Sequence, residues 1–190
     1  MRAQAGGNSS ERILEVATRI AQAHGYGGLN MRDLAEQVGV KAASLYHHFA
    51  GKTELAAAVA RRYWENSEAC LEELTVAFPD PHERLRQYPH TFRISLESDN
   101  RICLSSFMGA EYDDLPAPVM QEVQRFAEIN IDWLAQTVAE AGIGKAEDAR
   151  ARAQAIYAAI AGAQLLARSR ADLGLFDQTI GSYQAAGLLP

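Results

Sequence analysis

Lys41, Ser44, His47 and His48 recur at spacings of three and four, and Tyr46 stands beside them. On a helix these spacings collect side chains on one face, which here carries an ammonium, hydroxyls and imidazoles. Such a face can bond base edges and phosphates, and nothing in it is an activated nucleophile. The other reactive groups fit catalysis less well. Gly51-Lys52-Thr53 matches the tail of a phosphate-binding loop, but the position five before Gly51 is Tyr46 where that motif needs glycine, and the preceding stretch reads as helix. A helix start whose open N–H groups and Lys52 hold a phosphate fits better. Glu111, Asp113 and Asp114 read as a solvated acidic helix end, and His82 and His90 lack the carboxylate spacing of a metal site. No HExxH, nucleophile elbow or dinucleotide glycine motif occurs. The expectation is no enzyme, no metal and no cofactor.

The elements that must position this face run from Asn30 to Phe49. Leu34, Ala35 and Val38 fall on one side of a short helix, Asn30 is placed to cap its start, and Gly39 supplies its left-handed exit. Val40 follows as the apolar contact of the turn. A second short helix spans Lys41 to Phe49, with Leu45 and Phe49 turned toward the first. Two short helices, a glycine turn and a polar outer face outline a helix-turn-helix that lays its second helix in the DNA major groove. An ordinary helical hairpin fits the same pattern.

The wider stretch from Ser9 to Leu55 resembles the TetR-type bacterial transcriptional regulators. The residues that carry this are Arg32-Asp33-Leu34-Ala35, the Gly39-Val40 turn, Leu45-Tyr46-His47-His48-Phe49 and Gly51-Lys52-Thr53-Glu54-Leu55. One departure is Lys41, where that family often has the capping hydroxyl of Ser or Thr. The resemblance implies that Lys41, Ser44, His47 and His48 face bases and that Asn30, Tyr46 and Lys52 hold phosphates, with Arg32 and Ala42 completing the DNA-binding set. It also implies a small-molecule effector in the later helices, for which Trp64, Tyr88, Phe92, Cys103, Phe107, Glu111, Phe126 and Trp133 are the expected lining.

At 190 residues and 48% apolar composition the chain can bury a substantial core without staples. No run of eighteen uncharged apolar residues or charged-then-apolar leader is readable, so no membrane association and a cytoplasmic location are expected. Cys70 and Cys103 are too few for a disulfide framework. The net charge of −6 divides unevenly: residues 1–63 hold eight Lys/Arg against five Asp/Glu, or +3, which leaves −9 for the remainder. A mildly basic head on an acidic body is compatible with gripping a duplex at one end.

Residues 1–8 read as a flexible arm, followed by a helix from Ser9 to His24 with Ile13, Val16, Ala17, Ile20 and Ala21 on its apolar side and an Asn8–Glu11 capping box. One long helix is expected from Glu54 to about Phe78, then a Pro89-kinked helix from His82 to Ser98, a shorter one from Arg101, and one from Pro116 to about Ala141. Ala146 to Arg170 is alanine-rich nearly all round, which implies burial on more than one face. Gly162 within it is expected where another helix approaches closely. The last two helices are expected to pair with their copies in a homodimer through Ala155, Ile156, Ala159, Ile160, Gly162, Ala163, Leu166 and Tyr183, the alternative being a helix buried within a monomer.

The sequence thus predicts an all-α chain: a three-helix helix-turn-helix head over 1–52 and a larger helical effector-binding and dimerisation body over 53–190. Its expected partners are a palindromic double-stranded DNA operator, a small molecule and a second copy of itself. Two other readings fit: an electrophile or oxidant sensor acting through Cys103, and a helical small-molecule-binding module that never touches DNA.

Overall fold

The computed structural model describes residues 3–190, with side chains placed from Ser9 onward. Its helices are α1 (Ala3–His24), α2 (Met31–Val38), α3 (Ala42–His48), α4 (Lys52–Ala77), α5 (Pro81–Gln87), α6 (His90–Glu97), α7 (Leu104–Ala110), α8 (Ala117–Glu140), α9 (Ala149–Arg170) and α10 (Leu173–Ala185). The described residues contain no strand, and no described helix is long and apolar enough to cross a membrane. Because α1 begins at Ala3, Asn8 lies inside that helix rather than at its cap. Met1 and Arg2 of the expected arm lie outside the described residues.

The chain packs as two compact units, one of Met1–Glu65 with Leu104–Phe126 and one of Asn66–Cys103 with Ala127–Pro190. Helix α4 runs unbroken from Lys52, and α7 with the start of α8 contributes Leu104, Met108, Leu115, Val119 and Val123 to the core of the first unit. That core also takes Ile13, Ala17 and Ala21 from α1, Leu34, Ala35 and Val38 from α2, Leu45 and Phe49 around α3, and Leu55, Ala56 and Val59 from α4. Their three- and four-residue spacings make each helix amphipathic, and burial of each large side chain stabilises the unit by about 2 kcal/mol.

Local signals set the boundaries of the short helices. Asn30 Oδ1 accepts the N–H groups of Arg32 (2.9 Å) and Asp33 (3.3 Å) at the start of α2. Its end is a Schellman turn: Gly39, at φ +77°, donates to Glu36 C=O (3.1 Å) and Val40 N–H reaches Ala35 C=O (2.9 Å). The Glu54 carboxylate reaches back to Ala50 N–H at 2.7 Å, securing the entry to α4.

In the second unit the expected kinked helix is two helices, α5 and α6, separated at Tyr88-Pro89. Proline has no N–H to continue the α5 ladder and clashes with the preceding turn, so the chain restarts at His90. Arg84 of α5 is buried, donating to the carbonyls of Phe78 and Pro79 (both 3.0 Å) and to Glu140 (2.7 Å). Helix α9 turns Ala153, Ile156, Ile160, Ala163 and Ala167 inward. Three residues expected at a subunit interface, Ile156, Ile160 and Ala163, are therefore already buried within the single chain. The outward side of α9 holds Ala151, Ala155, Ala158, Gly162, Leu165 and Leu166. Leu165 is 57% exposed and Leu166 42%.

Candidate nucleic-acid interface

Helix α3 is anchored by two residues. Leu45 and Phe49 are buried, whereas Lys41, Ala42, Ala43, Ser44, Tyr46 and His47 are exposed. The four-residue spacing of the anchors leaves a continuous outward face on this two-turn helix. Lys41 occupies the N-cap with extended backbone (φ −69°, ψ 141°) and makes no side-chain capping bond. Its missing hydroxyl is consistent with that. His48 is only half-buried and leans between His47 (ring centroids 5.9 Å) and Phe49 (6.4 Å), so it faces outward less fully than His47.

Beside α3 lies an open cleft of about 500 Å³ lined by Gly27, Leu29, Asn30, Met31, Arg32, Tyr46 and Lys52. Four of the expected DNA-binding residues (Asn30, Arg32, Tyr46 and Lys52) meet there. Tyr46 is 50% exposed. Lys52 Nζ donates to Gly27 C=O at 3.4 Å and sits 4.3 Å from the centre of the Tyr26 ring, a cation–π contact that orients its charge. A cleft lined by an ammonium, a guanidinium, an amide and a phenol hydroxyl offers donors suited to an anionic backbone. The remaining expected contacts, Lys41, Ala42, Ser44 and His47, lie on the α3 face. Sequence reasoning missed Ala43 on that face, and it missed Tyr26 and Gly27 beneath Lys52; the Gly-Tyr-Gly-Gly run between α1 and α2 was the available signal.

The residues expected to line an effector site are divided between the two units. Trp64, Phe107, Glu111 and Phe126 belong to the first unit, and Tyr88, Phe92, Cys103 and Trp133 to the second. In the first unit Trp64 Nε1 donates to Glu122 (2.8 Å), which also pairs with Arg61, and Phe126 lies against Tyr63 with ring centroids 5.2 Å apart. Glu111 accepts hydrogen bonds from Tyr26 and Gly27 N–H rather than standing open to a ligand. In the second unit Tyr88 contacts Phe92 (5.8 Å) and stacks on Trp133 (5.6 Å), and Phe92 meets Tyr157 edge-on at 6.0 Å.

Neutral polar groups thread this aromatic cluster. Tyr88 Oη donates to Asn130 Oδ1 (3.0 Å), and Asn130 Nδ2 donates to Ser67 Oγ (3.2 Å). Gln164 Nε2 donates to Phe92 C=O (2.6 Å) while its Oε1 accepts Cys103 N–H (2.9 Å). Burial pushes the Tyr88 and Tyr157 hydroxyls far up, so both stay neutral. Sequence reasoning passed over Asn130, Tyr157 and Gln164. Asn130 lies four from both Phe126 and Leu134, and Gln164 four from Ile160, so each is a polar residue in an apolar register. Cys103 is 2% exposed, which keeps its thiol from solvent. Burial and, second, Glu73 raise the Cys70 thiol, which disfavours its thiolate.

Residues 13–59 match the model of a family described as bacterial regulatory proteins, tetR family. The chain is 32% identical over 83 residues to the HTH-type transcriptional regulator LmrA of Bacillus subtilis, covering 43% of this chain and 44% of that protein. It is 43% identical over 54 residues to the HTH-type transcriptional repressor AcnR of Corynebacterium efficiens, covering 28% of this chain and 29% of AcnR. The chain therefore spans less than half the length of these relatives. The crystal structure of a TetR-family transcriptional regulator from Agrobacterium tumefaciens superposes with a TM-score of 0.86 at 26% identity, covering 93% of this chain and 96% of that one.

Proposed function

We propose that this chain, similar to the TetR family of bacterial regulatory proteins over its head and in its fold, is a repressor that binds a palindromic operator as a homodimer and is released by a small molecule. The observation that carries this reading is the exposed polar face of α3 set on two buried anchors, Leu45 and Phe49. Lys41, Ser44 and His47 read base edges, with the Ala42 methyl suited to thymine; His48 flanks them. Asn30, Arg32, Tyr46 and Lys52 hold phosphates around the cleft.

The dimer seam is the outward side of α9 with α10. Ala155, Gly162 and Leu166 carry it, with Ala159 and Tyr183 half-buried at its margin. A Cβ added at Gly162 would meet nothing within 4 Å in the chain, so this glycine answers to no neighbour of its own subunit. Two heads joined there meet successive major grooves about 34–36 Å apart.

The effector site is the Tyr88–Phe92–Trp133–Tyr157 cluster of the second unit, where Asn130 and Gln164 supply neutral amides. Arg84, the one buried charge among the described residues, is already committed to Glu140 and two carbonyls. This chemistry suits a neutral, largely aromatic or apolar molecule. Such a ligand relieves repression by binding more tightly to the dimer state that does not fit the operator.

Selection of duplexes from a random pool by the full chain tests the reading. The expected product is a two-fold-symmetric consensus bound more weakly as salt rises. A pool with no enrichment at low salt overturns it.

A further inference from the structure

Glu111 follows α7, and its carboxylate reaches across to the turn between α1 and α2. Oε2 accepts the N–H of Tyr26 at 2.6 Å and Oε1 the N–H of Gly27 at 3.3 Å. Elsewhere in that turn, Gly25 N–H bonds Ala21 C=O, Gly28 N–H bonds His24 C=O, and Leu29 N–H bonds Tyr26 C=O. Glu111 thus bonds two amides of the turn that lie between those backbone-bonded positions. Gly25 fits the arrangement doubly. Its φ is +66°, and a Cβ there would lie 2.2 Å from Glu111 Oε2.

The turn held this way is also the platform of the cleft. Gly27 C=O and the Tyr26 ring fix Lys52 Nζ, and Leu29 leads directly into the Asn30 cap of α2. Leu104, Met108 and Leu115, which flank Glu111 in sequence, are buried in the same core. The carboxylate thus ties the end of α7 directly to the turn, beside the packing of α7 in the shared core.

We propose that Glu111 is a positioning residue for DNA binding: by holding the Tyr26 and Gly27 amides it sets Lys52 and Asn30 for phosphate contact and carries movements of α7 to them. This rests on the DNA-binding reading above. It differs in sign from the effect of an ordinary surface acid. Removing a negative charge near a phosphate backbone strengthens binding or leaves it unchanged, whereas removing a positioning carboxylate weakens it.

The test measures affinity of the full-length protein for its selected duplex over a salt series, using Glu111→Gln, Glu111→Ala, Lys52→Ala and the Glu111→Ala/Lys52→Ala double variant. Glu111→Gln keeps the shape and one acceptor, so it remains informative should the alanine variant fail to fold. The expected result is about 5- to 10-fold weaker binding for Glu111→Gln, with a shallower salt dependence. Lys52→Ala should weaken binding in the parent protein yet cost less than about 2-fold when Glu111 is already alanine. Equal Lys52→Ala factors in both backgrounds, or Glu111 variants that bind as tightly as the parent, overturn the proposal. A parent protein that binds no duplex refutes the DNA-binding reading instead, which keeps the two failures distinct.

Discussion

The two units place polar and apolar groups in opposite ways. The first has a core cluster of apolar side chains and shows its polar groups on α3 and around the cleft. The second buries Arg84, Asn130, Thr137 and Gln164, four of the five buried polar side chains among the described residues, and exposes Leu165 and Leu166. A buried amide costs stability unless its partners are exact in position, so it selects one packing arrangement. The exposed leucine pair, on an alanine and glycine surface, suits the subunit seam proposed above. In the proposed function this contrast divides the work: recognition in the first unit sits on its surface, whereas in the second it is assigned to an interior cluster and an outward seam.

The contrast breaks first if the core of the first unit tolerates damage. Leu45→Ala removes a fully buried side chain beneath the α3 face and is expected to cost about 3 kcal/mol. Thermal unfolding checks the cost, and duplex binding should be lost along with the helix position.

The outward seam of the second unit is sharpened next. Leu166→Glu places a charge on the exposed side of α9 and is expected to weaken dimerisation by at least about 100-fold. Sedimentation velocity at micromolar concentration should then show single subunits; a persistent dimer would move the seam to another surface.

The interior of the second unit comes third. Gln164→Leu leaves the Cys103 N–H and the Phe92 carbonyl without the partners they have in Gln164, for an expected loss of about 2 kcal/mol by denaturant titration. The first unit, measured by its affinity for DNA, should be little changed.

The smallest expected effect concerns Glu122. Burial pushes its carboxyl up, but the hydrogen bonds from Arg61 and Trp64 outweigh burial and hold it below the usual carboxylate range. A lowered folded value gives stability that is fully present above the ordinary glutamate pKa and is lost as the pH falls through the lowered one. Trp64→Phe is therefore expected to cost about 1 kcal/mol near neutral pH. That cost should shrink in melts below about pH 4. A pH-independent cost would assign Trp64 to packing alone.

How much of this was legible depended on the range of the signal. Asn30, Gly39, Leu45 and Phe49 act on neighbours within five residues, so the short helices and the outward face of α3 followed from spacing and capping. Helix α9 was legible as a helix but not in its rotation. Alanine recurs on both of its sides, so nothing in the pattern distinguished inward Ile156, Ile160 and Ala163 from outward Ala155 and Gly162. The split at Pro89 was expected as a kink, since a proline marks the interruption without saying whether the chain continues past it. The Glu111 contact with Tyr26 spans 85 residues. No local periodicity carries a pairing of that length, and an acid near a helix end looks solvated until its partners are seen.

The central claim is that the outward face of α3 reads sequence. Its most direct test is the ratio of affinities for the selected duplex and for random duplex at fixed salt, measured for the parent protein and for the Lys41→Ala/Ser44→Ala/His47→Ala variant. The account predicts a ratio of about 1,000 or more for the parent that falls by at least about 10-fold in the variant, while binding to random duplex drops only by the share due to one lysine. A variant that keeps the parent's ratio would contradict it.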